Sequence, residues 1–161
     1  MDYAAVNKEH HDRLDQLSEK VLRLYRLGPV EEARELGEAY WEELPEPKHT
    51  WGWLSQVTMY IAENAAKAGY PADARRWLDR AELWASRGVL EDNRNIMTMT
   101  EGMILVQEDD LDAADERFSS VFQIEGRRAF EGLPEQYWDF FAERHGLGTT
   151  KAKGSVDLEQ A

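Results

Sequence analysis

The histidines are the residues of this sequence best suited to metal binding or acid–base chemistry. His10 and His11 are adjacent, so on a helix their side chains point about 100° apart. His49 follows Pro47 in a linker, and His145 lies at the predicted end of a helix. The chain has no cysteine and no pair of histidines at the spacing of a helical zinc site. The sequence therefore predicts no metal site and no cofactor.

One acidic run resembles a calcium-binding loop at first sight. It reads Glu108-Asp109-Asp110-Leu111-Asp112, but it lacks the alternating ligands, the central glycine and the distal glutamate of that motif. Glycine-rich phosphate loops and nucleophile motifs are also absent from the sequence. No catalytic residue is therefore predicted, and we expect the acidic run to form a turn followed by the start of a helix.

The chain carries a formal net charge of −13, from 32 acidic and 19 basic residues. Nucleic-acid binding is disfavoured, because it depends on lysine and arginine displacing counterions from the phosphate backbone. A basic protein is the partner that this charge favours, since complementary charge accelerates association. The stretch 101–116 contains seven acids and no base, so we expect Glu108, Asp109, Asp110 and Asp112 to contribute to partner encounter.

The sequence also bears on location. No stretch reaches the roughly 18 consecutive apolar residues of a membrane-spanning helix, and residues 1–7 lack the basic start and apolar run of a secretory signal. The absence of cysteine suits a reducing compartment. We therefore expect a soluble, cytoplasmic protein that does not bind membranes, and the sequence leaves its oligomeric state open.

Proline and glycine divide the chain into segments whose apolar residues recur every three or four positions, which is typical of amphipathic helices. No segment shows the alternation of a half-buried strand, so an all-α fold is predicted. The expected helices cover roughly residues 7–27, 29–44, 50–68, 71–87, 92–108, 112–122 and 134–144. Residues 147–161 lack apolar periodicity and are predicted to form a flexible tail.

A short pattern recurs along the chain. The segment 28–33 is repeated at 69–74 and, more weakly, at 109–114. The alanines that end these segments, Ala33, Ala74 and Ala114, are 41 and then 40 residues apart. Such a period is typical of stacked helical pairs, because a single pair cannot bury both of its faces.

This repeat resembles the tetratricopeptide repeat (TPR), a unit of two helices that pack closely through small residues. The small residue before the turn corresponds to Val21, Ala62 and Gly102, and the one after the turn to the three alanines. The resemblance implies a right-handed superhelix of about three TPR-like antiparallel helix pairs over residues 1–146, closed by a C-terminal capping helix. The expected packing face of that capping helix comprises Tyr137, Trp138, Phe140 and Phe141. A helical bundle without repeats is the alternative.

The resemblance also implies that the first helix of each pair lines an inner groove. The groove residues expected to bind a partner are Tyr25, Arg26, Met59, Tyr60, Glu63, Lys67, Met99 and Met103. Met59, Tyr60, Met99 and Met103 are expected to form an exposed apolar floor, because methionine adapts to irregular partner surfaces. The alternative is that these four residues belong to the core.

Most of the six tryptophans are expected in the core. Trp51 and Trp53 are the best candidates for exposure, because they lie on opposite faces of a predicted helix start. One TPR subclass clamps a C-terminal carboxylate with basic and amide side chains in the groove. The corresponding positions here are Ser18, Leu22, Tyr60, Ile96 and Thr100, so recognition of a chaperone tail is not expected.

The function that the sequence favours most is that of a non-enzymatic protein-binding module. Its sharper form is an acidic immunity protein that neutralises a basic bacterial toxin. A TPR-type secretion or assembly chaperone that binds an effector segment is the alternative within the same class. From another class, a small-ligand-binding regulator or an enzyme would be recognised by a deep pocket that holds a carboxylate with a strongly shifted pKa.

Overall fold

The computed structural model describes residues 8–150, and within this range the chain forms seven α-helices and no β-strand. The helices are α1 (Lys8–Leu27), α2 (Val30–Glu43), α3 (Ser55–Lys67), α4 (Pro71–Ala85), α5 (Arg94–Gln107), α6 (Leu111–Glu125) and α7 (Glu135–Arg144). The predicted all-α fold is confirmed. No helix in these residues is both long and apolar enough to cross a membrane.

Consecutive helices pack as antiparallel pairs, with α1 against α2, α3 against α4 and α5 against α6. The first helices of the pairs also lie side by side, since α3 contacts both α1 and α5. A contact between α4 and α5 joins the second pair to the third, and the 3₁₀ turn Gly126–Phe130 packs on α6 and on α7. The helices therefore form a stack of three pairs with α7 at its C-terminal end.

One predicted helix boundary is wrong. Thr50 is the predicted cap of the third helix, but residues 48–54 form two 3₁₀ turns and α3 begins only at Ser55. Trp51 separates these turns with φ −97° and ψ 68°, a conformation outside the helical region. The Ser55 hydroxyl donates to the carbonyl of Gly52 at 2.5 Å, which joins the second turn to the helix start.

Small residues lie inside the helix pairs, as predicted. Ala33, Ala74 and Ala114 are all fully buried. In the third pair, a Cβ atom on Gly102 of α5 would lie only 2.4 Å from Cε1 of Phe118 on α6. The absence of a side chain at Gly102 therefore sets how closely these two helices approach.

The first and second pairs meet at an aromatic cluster. A Cβ atom on Gly37 of α2 would lie 2.8 Å from Cζ2 of Trp77 on α4. The Arg80 guanidinium lies 4.8 Å from the ring centroid of Trp41 and 4.6 Å from that of Trp77. It also donates to Glu38 at 2.6 Å. The guanidinium therefore lies against both indole rings, and these contacts together with the ion pair to Glu38 stabilise the contact between α2 and α4.

The second and third turns share one geometry. The amide of Tyr70 donates to the carbonyl of Ala65 at 2.9 Å, and 40 residues later the amide of Asp110 donates to Leu105 at the same distance. These bonds define a Schellman motif at the end of α3 and of α5. Gly69 takes the left-handed conformation that the motif requires, with φ +87°, and glycine adopts it without a steric penalty.

Asp109 occupies the position of Gly69 in the third turn, with φ 64°. This conformation is uncommon for a residue with a side chain, although Asp and Asn tolerate it better than most. In the first turn the position of Tyr70 is taken by Pro29, which has no amide hydrogen and cannot close the motif. The Schellman motif is therefore present in the second and third turns of the repeat and absent from the first.

Repeat-equivalent arginines connect successive pairs. Arg34 and Arg75 each follow the buried alanine of their unit. Arg34 Nε donates to Asp73 Oδ2 of the second pair at 2.9 Å. Arg75 donates to both carboxylate oxygens of Glu108 in the third pair, at 2.8 and 2.5 Å, and these hydrogen bonds hold the pKa of Glu108 below its usual value. Each arginine thus reaches forward to the next pair.

The third unit reverses this polarity. Asp115 stands where the first two units have arginine, and its carboxylate lies 2.8 Å from Nε2 of His145 and 3.9 Å from Nε of Arg144. Arg144 also donates to Asp112 at 2.5 Å. The same position of the repeat therefore supplies an anion to α7 instead of a cation.

Asp73 is a buried carboxylate between the first two pairs, with 5% of its surface exposed. The Tyr25 hydroxyl donates to Asp73 Oδ2 at 3.1 Å, and Arg34 donates to the same oxygen. A buried carboxylate needs such partners, because an unpaired charge in the interior is costly. This network connects α1, α2 and α4.

The free energy of unfolding should fall at high pH because of Tyr25. Burial, assisted by the charge of Asp73, raises the pKa of Tyr25 to about 12, whereas a tyrosine in the unfolded chain ionises near pH 10. The contribution of Tyr25 to the free energy of unfolding is therefore fully present below about pH 10. It decreases as the pH rises toward 12, by up to about 1.4 kcal/mol per pH unit. Urea denaturation at a series of pH values should show this slope, and Tyr25→Phe should reduce it. An unchanged slope in the variant would contradict the assignment.

The last described residues pack on α7. Of its predicted packing face, Tyr137, Trp138 and Phe141 are buried and Phe140 is half-buried. Trp138 Nε1 donates to the carbonyl of Gly148 at 3.1 Å, and the amide of Thr150 donates to Asp139 at 2.9 Å. Part of the predicted tail therefore contacts the helical domain. Residues 151–161 and the predicted helix cap Asn7 lie outside the described residues.

Candidate protein-binding cleft

A cleft of about 230 Å³ opens between α3, α5 and the segment 126–133. Ile96 and Met99 of α5, together with Leu133, supply apolar surface to it. Tyr60 lines the side formed by α3. The cleft thus joins a few apolar side chains and one exposed aromatic residue to polar ones, a combination that can receive a side chain from another molecule.

The α3 side of the cleft is formed by the residues of that helix that no neighbouring helix covers. Because α1, α4 and α5 all pack on α3, most of its residues are buried. Tyr60 is 37% exposed, and Glu63 and Lys67 follow on the same stripe, joined by an ion pair of 2.8 Å. Glu63 lines the cleft, while Lys67 borders an adjoining shallow depression beside Gln107. Tyr60 is therefore the large apolar group of α3 that a partner could contact.

The rim of the cleft is acidic. Glu63, Glu125 and Glu131 line it together with a single cation, Arg128. Glu125 accepts a hydrogen bond of 2.6 Å from Asn95, which orients its carboxylate at the rim. Carboxylates that outnumber cations around an apolar surface favour a partner segment that carries positive charge.

The wall opposite α3 is formed by the segment that follows α6. Gly126 ends α6 with φ 62° and ψ −146°, a conformation that is essentially restricted to glycine. Phe130 then inserts into the aromatic cluster of the last helices, with ring centroids 5.3 Å from Phe118 and 5.2 Å from Phe141. The amide of Leu133 donates to the carbonyl of Phe130 at 3.2 Å, so this buried phenylalanine helps to hold the wall in place. This wall is not predicted from the sequence, in which its only signal is one phenylalanine between two glycines.

The chain matches no protein-family model, and no curated protein or solved structure is significantly similar to it. Paired antiparallel helices are common to many folds, so they do not identify a family. A functional assignment therefore depends on the residues of the cleft and on the surface charge.

The predicted methionine floor is wrong. Met59 and Met103 are completely buried, and Met99 is 4% exposed. Tyr25, another predicted groove residue, is 3% exposed and donates its hydroxyl to Asp73. These residues are buried because the first helix of each pair packs against two or more other helices. Of the four residues expected to form the floor, Tyr60 alone presents substantial surface to solvent.

Three predicted groove residues, Tyr60, Glu63 and Met99, are brought together in the cleft. Lys67 is adjacent to it through its ion pair with Glu63. Arg26 is exposed on α1 and does not line the cleft. Part of the predicted groove set therefore lies together in the cleft, whereas its α1 residues do not line the cleft.

The acidic run at the third turn is exposed, but only part of it is available to a partner. Glu108 is bound by Arg75, and Asp112 is bound by Arg144. Within residues 8–150, the side chains of Asp109 and Asp110 form no ion pair. These two carboxylates are therefore the better candidates for electrostatic encounter.

The remaining residues singled out for chemistry are dispersed. Trp53 is 38% exposed and stacks on His11 with ring centroids 4.1 Å apart, while Trp51 is half-buried. The ring of His145 lies against that of Phe141, with centroids 4.3 Å apart and planes tilted by 32°. Across the described part of the chain, no three histidine or carboxylate side chains converge at a position that could hold a metal ion.

Proposed function

We propose that this chain is a non-enzymatic protein-binding module with a TPR-like superhelical stack, and that it acts as an acidic immunity protein against a basic bacterial toxin. The observation that carries the proposal is the cleft, in which an exposed Tyr60 and apolar α5 residues lie within an acidic rim. The net charge of −13 supports a basic partner, because long-range attraction raises the association rate. The absence of cysteine favours a reducing compartment such as the cytoplasm.

A small-molecule site is less well supported by the same cleft. Its volume of about 230 Å³ is below the roughly 300–1,000 Å³ of typical ligand pockets. A secretion or assembly chaperone is the second candidate function. The apolar contribution of Ile96, Met99 and Leu133 favours it, since an effector segment could be held there before export.

Replacing Tyr60 by alanine should weaken binding without unfolding the protein. The partners to test are the products of the neighbouring genes, and the Kd of any that binds should be measured by calorimetry. A hot-spot residue should contribute about 1 kcal/mol or more, whereas the free energy of unfolding should fall by less than the roughly 2–5 kcal/mol of a buried truncation, because 37% of the Tyr60 surface is exposed.

Met103→Ala is the matched control, since Met103 is fully buried. It should lower stability by about 2–5 kcal/mol but leave the affinity of the folded fraction unchanged. Inhibition of a toxic activity of the partner would support the immunity role, while stabilisation of the partner without inhibition would support the chaperone. If Tyr60→Ala binds every neighbouring gene product as the parent does, the cleft is not the binding surface.

Neutralising Asp109 and Asp110 should slow association with a basic partner. The variant Asp109→Asn/Asp110→Asn removes two unpaired charges and keeps a residue that tolerates the left-handed conformation. We expect the association rate at low salt to fall about twofold or more, and the difference to vanish as screening increases. Stopped-flow fluorescence at several salt concentrations measures both effects.

The variant Glu32→Gln/Glu35→Gln removes the same charge from the exposed face of α2. It separates a local effect from one of net charge. If both double variants slow association equally, the third turn has no special role in encounter.

A further inference from the structure

We infer that the cleft binds a short partner segment that presents one large apolar side chain flanked by lysine or arginine. This inference rests on the proposed function and specifies the occupant of the same site. It is carried by two features of the cleft: its volume beside the apolar side chains of Tyr60, Ile96 and Leu133, and the balance of charges at its rim.

The cleft as a whole is large enough for a single side chain. Its volume is about 230 Å³, which exceeds the roughly 150 Å³ of a protein cavity that accepts one benzene ring. Ile96 and Leu133 are half-buried and Tyr60 is 37% exposed, so these three residues supply most of the apolar surface that an entering group would contact, whereas Met99 is only 4% exposed. The thioether of Met99 adapts to either an aliphatic or an aromatic partner.

The charges at the rim select the flanking residues. Glu63 already has an ion pair with Lys67, and Glu125 has one hydrogen bond from Asn95. Glu131 is exposed and, among residues 8–150, has no ion-pair or hydrogen-bond partner for its side chain. Glu125 and Glu131 can therefore accept cations from a bound segment, whereas Arg128 is the one opposing charge that lines the cleft.

The same charges argue against other occupants. A phosphorylated or acidic segment would meet the acidic rim with repulsion. A second copy of this chain would bring its own net charge of −13 to that rim, which disfavours self-association here. A basic segment with one apolar anchor is the occupant that satisfies both parts of the cleft.

The test uses methyl NMR of the full chain labelled at methionine, in which Met99 reports on the cleft and the buried Met59 and Met103 report on the core. The Met99 signal is assigned by its loss in Met99→Leu. Three synthetic peptides of equal length serve as probes: one of leucine and lysine, one with glutamate in place of lysine, and one with serine in place of leucine. We expect only the leucine–lysine peptide to shift the Met99 signal in a saturable way.

Glu131→Lys should weaken binding of that peptide about fivefold to tenfold, because the change reverses a charge at the rim. Glu143→Lys makes the same change on an exposed part of α7, outside the cleft, and should change the Kd less than about twofold. The inference is overturned if the serine–lysine peptide binds equally well, if Met99 does not respond, or if both variants weaken binding alike. A Met99 shift that depends on protein concentration without peptide would instead identify a second copy as the occupant.

Failure here is distinct from failure of the proposed function. If the whole basic partner binds with a dependence on Tyr60 but no peptide reaches Met99, the protein-binding role stands and the segment assignment is wrong. If neither the whole partner nor any peptide binds, both proposals are wrong.

Discussion

Replacing Phe118 by alanine should lower the free energy of unfolding by about 3–5 kcal/mol. Phe118 is fully buried, and its ring contacts those of Phe130 and Tyr137 with centroid distances of 5.3 and 6.3 Å. Removal of the ring would therefore leave a cavity where α5, α6, α7 and the cleft wall meet. Chemical denaturation monitored by circular dichroism measures the loss.

A double-mutant cycle with Gly102 makes this prediction specific to the close contact. Gly102→Ala alone should cost about 1–3 kcal/mol, because its Cβ atom would overlap the Phe118 ring. In the Phe118→Ala background that overlap is gone, so the added methyl should cost much less or even fill part of the cavity. The two changes should therefore be strongly non-additive.

Ile124→Ala is the control, since Ile124 lies on α6 with 72% of its surface exposed. It should change stability by less than about 0.5 kcal/mol. Additive losses in the cycle would mean that Gly102 and Phe118 are not in contact, and the packing of the third pair would have to be revised.

Replacing Asp73 by alanine should cost about 3 kcal/mol, the second large effect we expect. The change removes the acceptor of the buried Tyr25 hydroxyl and the partner of Arg34. The Arg34 side chain is 38% exposed, so its charge can still reach water, which limits the loss. Tyr25→Phe removes only one of the hydrogen bonds and should cost about 1 kcal/mol.

Asp79→Ala provides the matched control on the exposed side of the same helix. Its effect should stay within about 0.5 kcal/mol. Equal losses from Asp73→Ala and Asp79→Ala would show that the buried network contributes nothing beyond a surface charge on α4. Thermal and urea denaturation of each single variant decide between these outcomes.

The helices and the contacts within pairs could be predicted from sequence because both depend on local patterns. Apolar spacing and the placement of glycine and proline located every α-helix to within a few residues, apart from the start of α3. The recurrence of Ala33, Ala74 and Ala114 identified fully buried positions, since a small residue at a fixed place in a repeat has a packing reason.

The cleft was harder to predict because it depends on contacts between distant segments. Met59 and Tyr60 are neighbours in sequence and differ by one step around α3, yet one is fully buried and the other is substantially exposed. Which of them faces solvent is decided by how many helices pack on α3, and periodicity does not give that number. The wall, residues 126–133, has no periodic apolar pattern. Phe130 is held there by aromatic rings of α6 and α7, and these contacts cannot be read from the local sequence.

The ion pairs between units have a consequence for how such an array can grow. A duplicated second unit inserted after the original would place Arg75 against a copy of Asp73, an arrangement that the first two units already contain in Arg34 and Asp73. A duplicate placed after the third unit would instead set Asp115 against that carboxylate and lose the cations of α7. The array is therefore open to internal duplication but closed to extension at its C-terminal end, and a designer who lengthens it should insert units in the middle.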